Sequence, residues 1–177
     1  VLKSVCLGSS ATLLDSVSEY ITKNYALNTL VLSSEFEGDA ASLANFHASI
    51  LKEIRRFDRP IKKPAIIVSG GEAHVELPKN HGRGGRNTHF ALALAKEIEG
   101  IPGITALVAD TDGIDGFEKN AGAIISGDTA KVLNKKAPSK DFLSEYDSFS
   151  AHKIASSLFY SGATGINLND IRIAIVR

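Results

Sequence analysis

The chain has 177 residues, 44% of them hydrophobic and 23% charged, enough for one well-filled α/β domain with room for a further lobe. Twenty basic and twenty acidic side chains cancel to a formal net charge of +0, so no global field recruits nucleic acid or an anionic membrane. No apolar run approaches the about 18 residues of a membrane span and no basic stretch precedes a signal-like core, so a cytoplasmic protein is expected.

The chain opens at Val1 and contains no Met, as expected of a piece of a longer polypeptide or of a sequence that has lost its Met positions. Lys3 to Leu7 reads as a buried strand, and the single cysteine, Cys6, as a small core side chain in a reducing compartment. A helix follows Gly8-Ser9-Ser10, with Leu13, Leu14, Val17, Tyr20 and Ile21 on one face, then a short strand at Thr29 to Leu32. After Gly38 the helical spacing of Leu43, Phe46, Ile50, Ile54 and Phe57 predicts a second helix, whose basic end suits a helix C-terminus. Pro60 to Pro64 is the best internal boundary.

Ala65 to Val68 is a β-branched strand running into Ser69-Gly70-Gly71-Glu72, and Val75 to Leu77 alternates as a following edge strand would. Thr88 to Ile98 is an apolar helix that must pack against a sheet, and Ile104 to Ala109 is the next strand. Asn120 to Gly127 fits strand or helix. Asp128, Ser139 and Ser150 can each cap a short helix, and Gly162 to Asp170 is a polar loop before a last strand, Ile171 to Val176. Strands alternating with helices imply a layered α/β fold with a largely parallel sheet flanked by helices.

Two stretches carry chemistry. His81-Gly82-Arg83-Gly84-Gly85-Arg86-Asn87 sets two guanidinium groups among three glycines just before a helix, which suits a phosphate or carboxylate held against backbone N–H groups; the plain alternative is a surface loop with solvated arginines. Asp110-Thr111-Asp112-Gly113-Ile114-Asp115-Gly116 places three carboxylates at a strand end, as Mg²⁺ ligands or a catalytic base would require, or simply as a turn with helix caps. Together they suggest phosphoryl transfer. Asn87 stands where a dinucleotide fingerprint needs its third glycine, and no Walker loop occurs. The five histidines show no metal-ligand spacing and read as surface or core residues.

Ser69-Gly70-Gly71-Glu72, Gly82 to Asn87, Thr111 to Gly116, Ala121-Gly122-Ala123, and Thr164-Gly165 followed by Asn167 and Asn169-Asp170 resemble, in that order, the C-terminal MOFRL region of the class II glycerate kinases, many of which carry the older label hydroxypyruvate reductase. The resemblance covers Ala65 to the end; the stretch from Leu32 to Asp39 looks like the close of the family's preceding domain. It implies a division into residues 1–59 and 60–177, with Rossmann-like domains flanking the active-site cleft. It also implies ATP- and Mg²⁺-dependent transfer of a phosphoryl group to a hydroxyl of D-glycerate, giving 2-phosphoglycerate or 3-phosphoglycerate. Family members are more than twice as long, so the bulk of an N-terminal domain is an expected partner; the oligomeric state stays open, a homodimer included.

Carried over to this chain, the resemblance gives Arg86 the transferring phosphoryl group or the glycerate carboxylate. Asp112 would act on Mg²⁺ or accept the hydroxyl proton, with Asp115 in support and Asp110 as a further metal ligand. Gly82, Arg83, Gly84, Gly85, Asn87, Glu72 and Asn167 would bind substrate or phosphate. Ala163, Ile166 and Lys153-Ile154-Ala155 depart from the family pattern near the final loop. The alternatives are an NAD(P)H-dependent hydroxypyruvate reductase, which the absent glycine fingerprint opposes, and a non-catalytic ligand-binding module.

Overall fold

The computed structural model describes residues 8–137 and 141–177; the strand expected at Lys3 to Leu7, with Cys6, and the helix start expected at Ser139 lie outside them. Helix α1, Ser10–Tyr25, begins where Ser9 and Thr12 cap one another, the Thr12 N–H donating to Ser9 Oγ and the Ser9 N–H to Thr12 Oγ1. It buries Leu14 and Ile21, whereas Tyr20 turns out to solvent and meets the edge of Tyr25. Strands β1, Asn28–Val31, and β2, Phe36–Asp39, lead into helix α2, Ala40–Phe57, whose N-cap Asp39 accepts the Ser42 N–H at 2.8 Å.

The inward stripe of α2 is Ala40, Ala44, His47, Ala48, Leu51 and Ile54; Phe46 and Phe57, expected in the core, are exposed. Small side chains won this face because α2 packs directly on another alanine-rich helix, α3, Arg86–Glu97, and alanines let the two backbones approach. Between them strand β3 runs from Ala65 to His74, so Ser69-Gly70-Gly71-Glu72 lies inside the strand rather than beyond its end. Val75 to Leu77 are not the edge strand expected: they follow β3 without any ladder.

Strand β4, Ile104–Asp110, is followed by β5, Gly122–Ser126, which resolves the ambiguous segment as strand. Helix α4, Thr129–Lys136, comes next, and α5, Ser148–Ala155, starts two residues before the expected cap. A two-residue strand β6, Leu158–Phe159, was not foreseen; β7, Asp170–Val176, closes the chain.

Among the described residues the strands form one seven-stranded sheet in the order β1-β3-β7-β4-β5-β6, with β2 also on β3. The layered α/β class holds, and β1, β2, β3, β4 and β6 share one direction. The ladders, however, are mixed: β7 inserts antiparallel between β3 and β4, and β5 is antiparallel to both its neighbours. The helix α3 crossover gives β3 and β4 one direction, and the last strand then fills the gap it leaves.

Alternation along the strands separates two cores. Ile66, Val68, Ile171, Ile173 and Ile175 face α1, while Ala65, Ile67, Ala174 and Val176 face α2 and α3. Helices α4 and α5 pack on α3 through Leu133, Ala151, Phe142 and Leu92. Pro60 to Pro64 therefore joins two parts of one sheet: residues on both sides of it share the same core. No helix among the described residues is long and apolar enough to cross a membrane.

Candidate active site

The start of α3 is an anion site already filled by the chain itself. Asp115, 1% exposed, accepts the Asn87 N–H at 2.9 Å on one oxygen, and the Thr88 N–H at 2.8 Å and hydroxyl at 2.7 Å on the other. A carboxylate so placed satisfies the orphan donors of a helix N-terminus and suits its dipole. Burial pushes the Asp115 pKa up against the pull of those hydrogen bonds. Asp115 thus caps a helix, where the resemblance gave it a part supporting Asp112.

The glycine loop is likewise turned inward. Gly82 N–H donates to the Glu145 carbonyl, Arg83 N–H to Asp147 Oδ1 and Gly85 N–H to Thr88 Oγ1. A Cβ on Gly82 would overlap Asp147, and one on Gly85 would overlap Asp115. Close packing, not approach to a phosphate, explains these glycines, so the expected cradle of loop amides is not formed by Gly82, Arg83 and Gly85. The Arg83 side chain forks onto Glu118, at 2.8 Å through Nε and 2.8 Å through Nη2, and lies over the Phe149 ring. Its charge is matched within the fold.

Arg86 is the centre of the remaining set. Its Nε donates to Asp170 Oδ1 at 2.8 Å and its Nη2 to Asp110 Oδ2 at 2.6 Å, and its Nη1 lies 3.2 Å from Glu72. Burial alone would lower the guanidinium pKa, but the Asp170 hydrogen bond and the charges of Asp170, Asp110 and Glu72 outweigh it and raise it. The three partners are not equal. Asp170 is 0% exposed and also accepts from Asn87 Nδ2, the Ala73 N–H and Arg172 Nη2, whereas the Glu72 side chain is 56% exposed. Two carboxylates fix the guanidinium plane, and the third is an exchangeable surface partner.

Asp110 accepts the Asp112 N–H on its other oxygen, at 3.2 Å. Its pKa is raised to about 6, by burial first, with Asp112 and Asp170 adding repulsion and Arg86 opposing. Asp110 therefore has both oxygens engaged and pairs with Arg86, where the resemblance gave it a metal ion. Asp112 is different: it is half-buried, one oxygen accepts the Ile114 N–H at 2.8 Å, and the other is 3.5 Å from Asn167 Nδ2. Asn167 arrives because the final loop docks on this turn, with the Leu168 N–H donating to Thr111 Oγ1 and the Thr164 hydroxyl to the Thr111 carbonyl. Among the described residues no group of three or more His, Cys, Asp or Glu side chains could hold a metal ion. A single open carboxylate nevertheless suits Mg²⁺, which keeps several waters and needs one or two protein carboxylates when phosphates supply the rest.

Arg86 and Glu72 also line a cleft of about 650 Å³, together with the glycine loop and Ala73, Val75 and Leu77. Asp110, Asp112 and Asn167 do not line it, so Arg86 is the link between cleft and carboxylates. Asn87, expected at the ligand, is instead buried against Asp170.

Sequence reasoning gave Asp170 no role and overlooked Arg172, although an arginine in the apolar alternation Ile171-Arg172-Ile173 signals a buried partner. Arg172 is buried, donates to Asp170 and to the Gly70 carbonyl, and lies over Phe90. His47 and His152 are satisfied core residues, each with two ring-nitrogen partners, as expected of histidines without metal spacing. His89 stacks on Tyr146.

The profile of the MOFRL family matches residues 65–170. Over 159 residues the chain is 40% identical to a D-glycerate 2-kinase of Thermotoga maritima, covering 88% of this chain and 37% of that protein. Over 172 residues it is 37% identical to a putative hydroxypyruvate reductase of Agrobacterium vitis, covering 96% and 44%. A crystal structure of the glycerate kinase from Thermotoga maritima superposes with a TM-score of 0.90 at 38% identity, covering 96% of this chain and 41% of that one. The chain therefore spans less than half the length of these relatives. With the profile over more than half of its residues, and with the Arg86 loop, the acidic turn and the final loop brought together as the motifs required, the chain belongs to the MOFRL family.

Proposed function

We propose that this chain supplies one side of the active site of a glycerate kinase, which transfers the γ-phosphoryl group of ATP to a hydroxyl of D-glycerate. The observation that carries this reading is Arg86, a guanidinium fixed by Asp170 and Asp110 whose third contact is the exposed Glu72 at the cleft. An incoming oxyanion can displace Glu72 without disturbing the other two bonds. Phosphoryl transfer is mostly positioning and charge stabilisation, and a preset guanidinium supplies both. The names of the similar proteins supply the substrate class and favour the 2-hydroxyl.

Mg²⁺ carried with the nucleotide would neutralise phosphate charge. Asp112 supplies the open carboxylate, for that ion or for the acceptor's hydroxyl proton, and Asn167 orients it. Glu72 keeps Arg86 paired between turnovers.

Phosphorus NMR on the complete polypeptide with D-glycerate, ATP and Mg²⁺ is expected to show 2-phosphoglycerate. Arg86→Ala would strand the buried Asp110 and Asp170 carboxylates, so Arg86→Lys is the sharper variant: it keeps a charge and loses the fork. A fall in kcat/KM of about a hundredfold or more is expected, with a melting temperature lowered less than in Arg86→Ala because a cation still faces Asp110 and Asp170. NADH oxidation with hydroxypyruvate and no phosphoryl transfer would overturn the proposal in favour of a reductase.

A further inference from the structure

The alternation that turns Ile171, Ile173 and Ile175 toward α1 turns Asp170 and Arg172 toward α2 and α3, on the face of Ala174, Val176 and Phe90. Arg172 is buried, its guanidinium 4.9 Å from the centroid of the Phe90 ring. Its Nη1 donates to the Gly70 carbonyl at 3.0 Å and its Nη2 to Asp170 Oδ2 at 2.9 Å, while Nε is buried with no hydrogen-bond partner. Sheet packing alone does not call for a cation here at the cost of an orphan donor, because well-packed apolar side chains often replace a buried ion pair without loss of stability. What Arg172 brings to this place is charge. His47 brings none near neutral pH, since its pKa is lowered to about 4, by burial first and by Arg172 as well.

We propose that Arg172 is a positioning residue for the oxyanion site: it neutralises Asp170 at its second oxygen, so that Arg86 meets an incoming phosphate or carboxylate with its own charge uncancelled. The assignment rests on the kinase reading above, in which Arg86 takes an oxyanion. Two buried carboxylates, Asp110 and Asp170, hold Arg86. Against Arg86 alone they leave a net negative charge, which would repel the anion that is to displace Glu72; with Arg172 the set balances. The oxygens of Asp170 divide the work. Oδ1 accepts from Arg86 Nε and Asn87 Nδ2, both on α3, and Oδ2 from Arg172 Nη2 and the Ala73 N–H, both on the sheet. Burial lowers the Arg172 pKa, Asp170 opposes and Arg86 adds repulsion, so the two guanidinium groups sense one another across the carboxylate they share. Arg172 does not line the cleft, so it acts on a ligand through Asp170 and Arg86.

The test is titration of the complete polypeptide with inorganic phosphate, followed by phosphorus NMR, for the native protein, Arg172→Gln, Arg172→Lys and the double variant Arg172→Gln with Asp170→Asn, each shown to be folded by circular dichroism. Arg172→Gln, which keeps a donor and loses the charge, is expected to weaken phosphate binding about tenfold. Arg172→Lys, which keeps the charge and loses the fork, is expected to stay within about threefold of native. The double variant removes one charge of each sign and is expected to recover most of the lost affinity. Native affinity in Arg172→Gln would overturn the proposal, as would native protein that binds no phosphate. Arg172→Lys or the double variant as weak as Arg172→Gln would make the contacts, not the charge, decisive and overturn it too. If Arg172→Gln does not fold, the other two variants decide on the same terms: a tenfold loss in either overturns it. Phosphate binding needs no turnover, so the two readings separate. Phosphoglycerate formation with an inert Arg172→Gln keeps the kinase reading and removes this one, and the charge effect without phosphoglycerate does the reverse.

Discussion

Asp110 sits where burial and a guanidinium disagree. Burial and the nearby Asp112 and Asp170 charges outweigh Arg86, and the pKa rises to about 6 from an ordinary 3.8. A carboxyl group whose folded pKa is raised binds more protons in the folded chain than in the unfolded one between these values, so its contribution to stability is complete below about pH 4 and lost as pH rises through 6. His47 and His152 act in the opposite sense, since burial lowers each to about 4 and acid must charge them. The whole-protein pH profile therefore blends opposing slopes. A difference measurement isolates Asp110: the stability of Asp110→Asn minus that of the native chain, by urea titration, is expected to grow from pH 4 to pH 7, because the histidine contributions cancel. A difference that stays flat across this window would place the Asp110 pKa at its ordinary value and remove burial as its dominant influence.

At the level of the element, α3 shows how a site is held by parts remote in sequence. Its first turn is satisfied by Asp115, 28 residues beyond Asn87 in the chain, and its Arg86 is anchored by Asp170, 84 residues away. Asp115→Ala would leave the Asn87 and Thr88 backbone N–H groups unpaired in a buried place, while the Thr88 hydroxyl keeps Gly85 and Ser148, with an expected loss of about 3 kcal/mol in urea denaturation. Normal stability with lost turnover in the complete polypeptide, on the kinase proposal, would instead give Asp115 a part in the chemistry. The same remoteness decided what could be read from sequence. The apolar periodicity of α1 and α3, and the β-branched runs of β3, β4 and β7, follow from local pattern and were legible. That Gly85 faces Asp115, or that Asp170 gathers four donors, depends on chain crossings no local pattern records. In α2 the pattern misled, because Phe46 and Phe57 outweighed alanines whose value lies in how closely two helices pack. The two-residue β6 was too short to carry a signal at all.

For the whole molecule, the sharpest consequence concerns the segment before Pro60. The family match starts at residue 65 and the two prolines read as a linker, so a fragment of residues 60–177 looks like a natural unit. The packing argues otherwise. Removing α1 bares Ile66, Val68, Ile171, Ile173 and Ile175 on one face, and removing α2 bares Ile67 and the inner side of α3 on the other. Strand β3 would also lose both parallel partners and become an open edge beside the site. Leu14, Ile21, Leu51 and Ile54 alone, all buried, account for on the order of 6–12 kcal/mol of burial at about 1.5–3 kcal/mol each, comparable with the about 5–15 kcal/mol of stability that a whole domain possesses. The fragment 60–177 is therefore expected to show a collapsed amide spectrum in two-dimensional NMR and no cooperative melting transition, while the 177-residue chain shows dispersed signals and one transition. A dispersed spectrum and a cooperative melt for the fragment would establish a domain border at Pro60, and would mean that Glu72, Arg86 and Asp170 keep their arrangement without the helices that cover their strands.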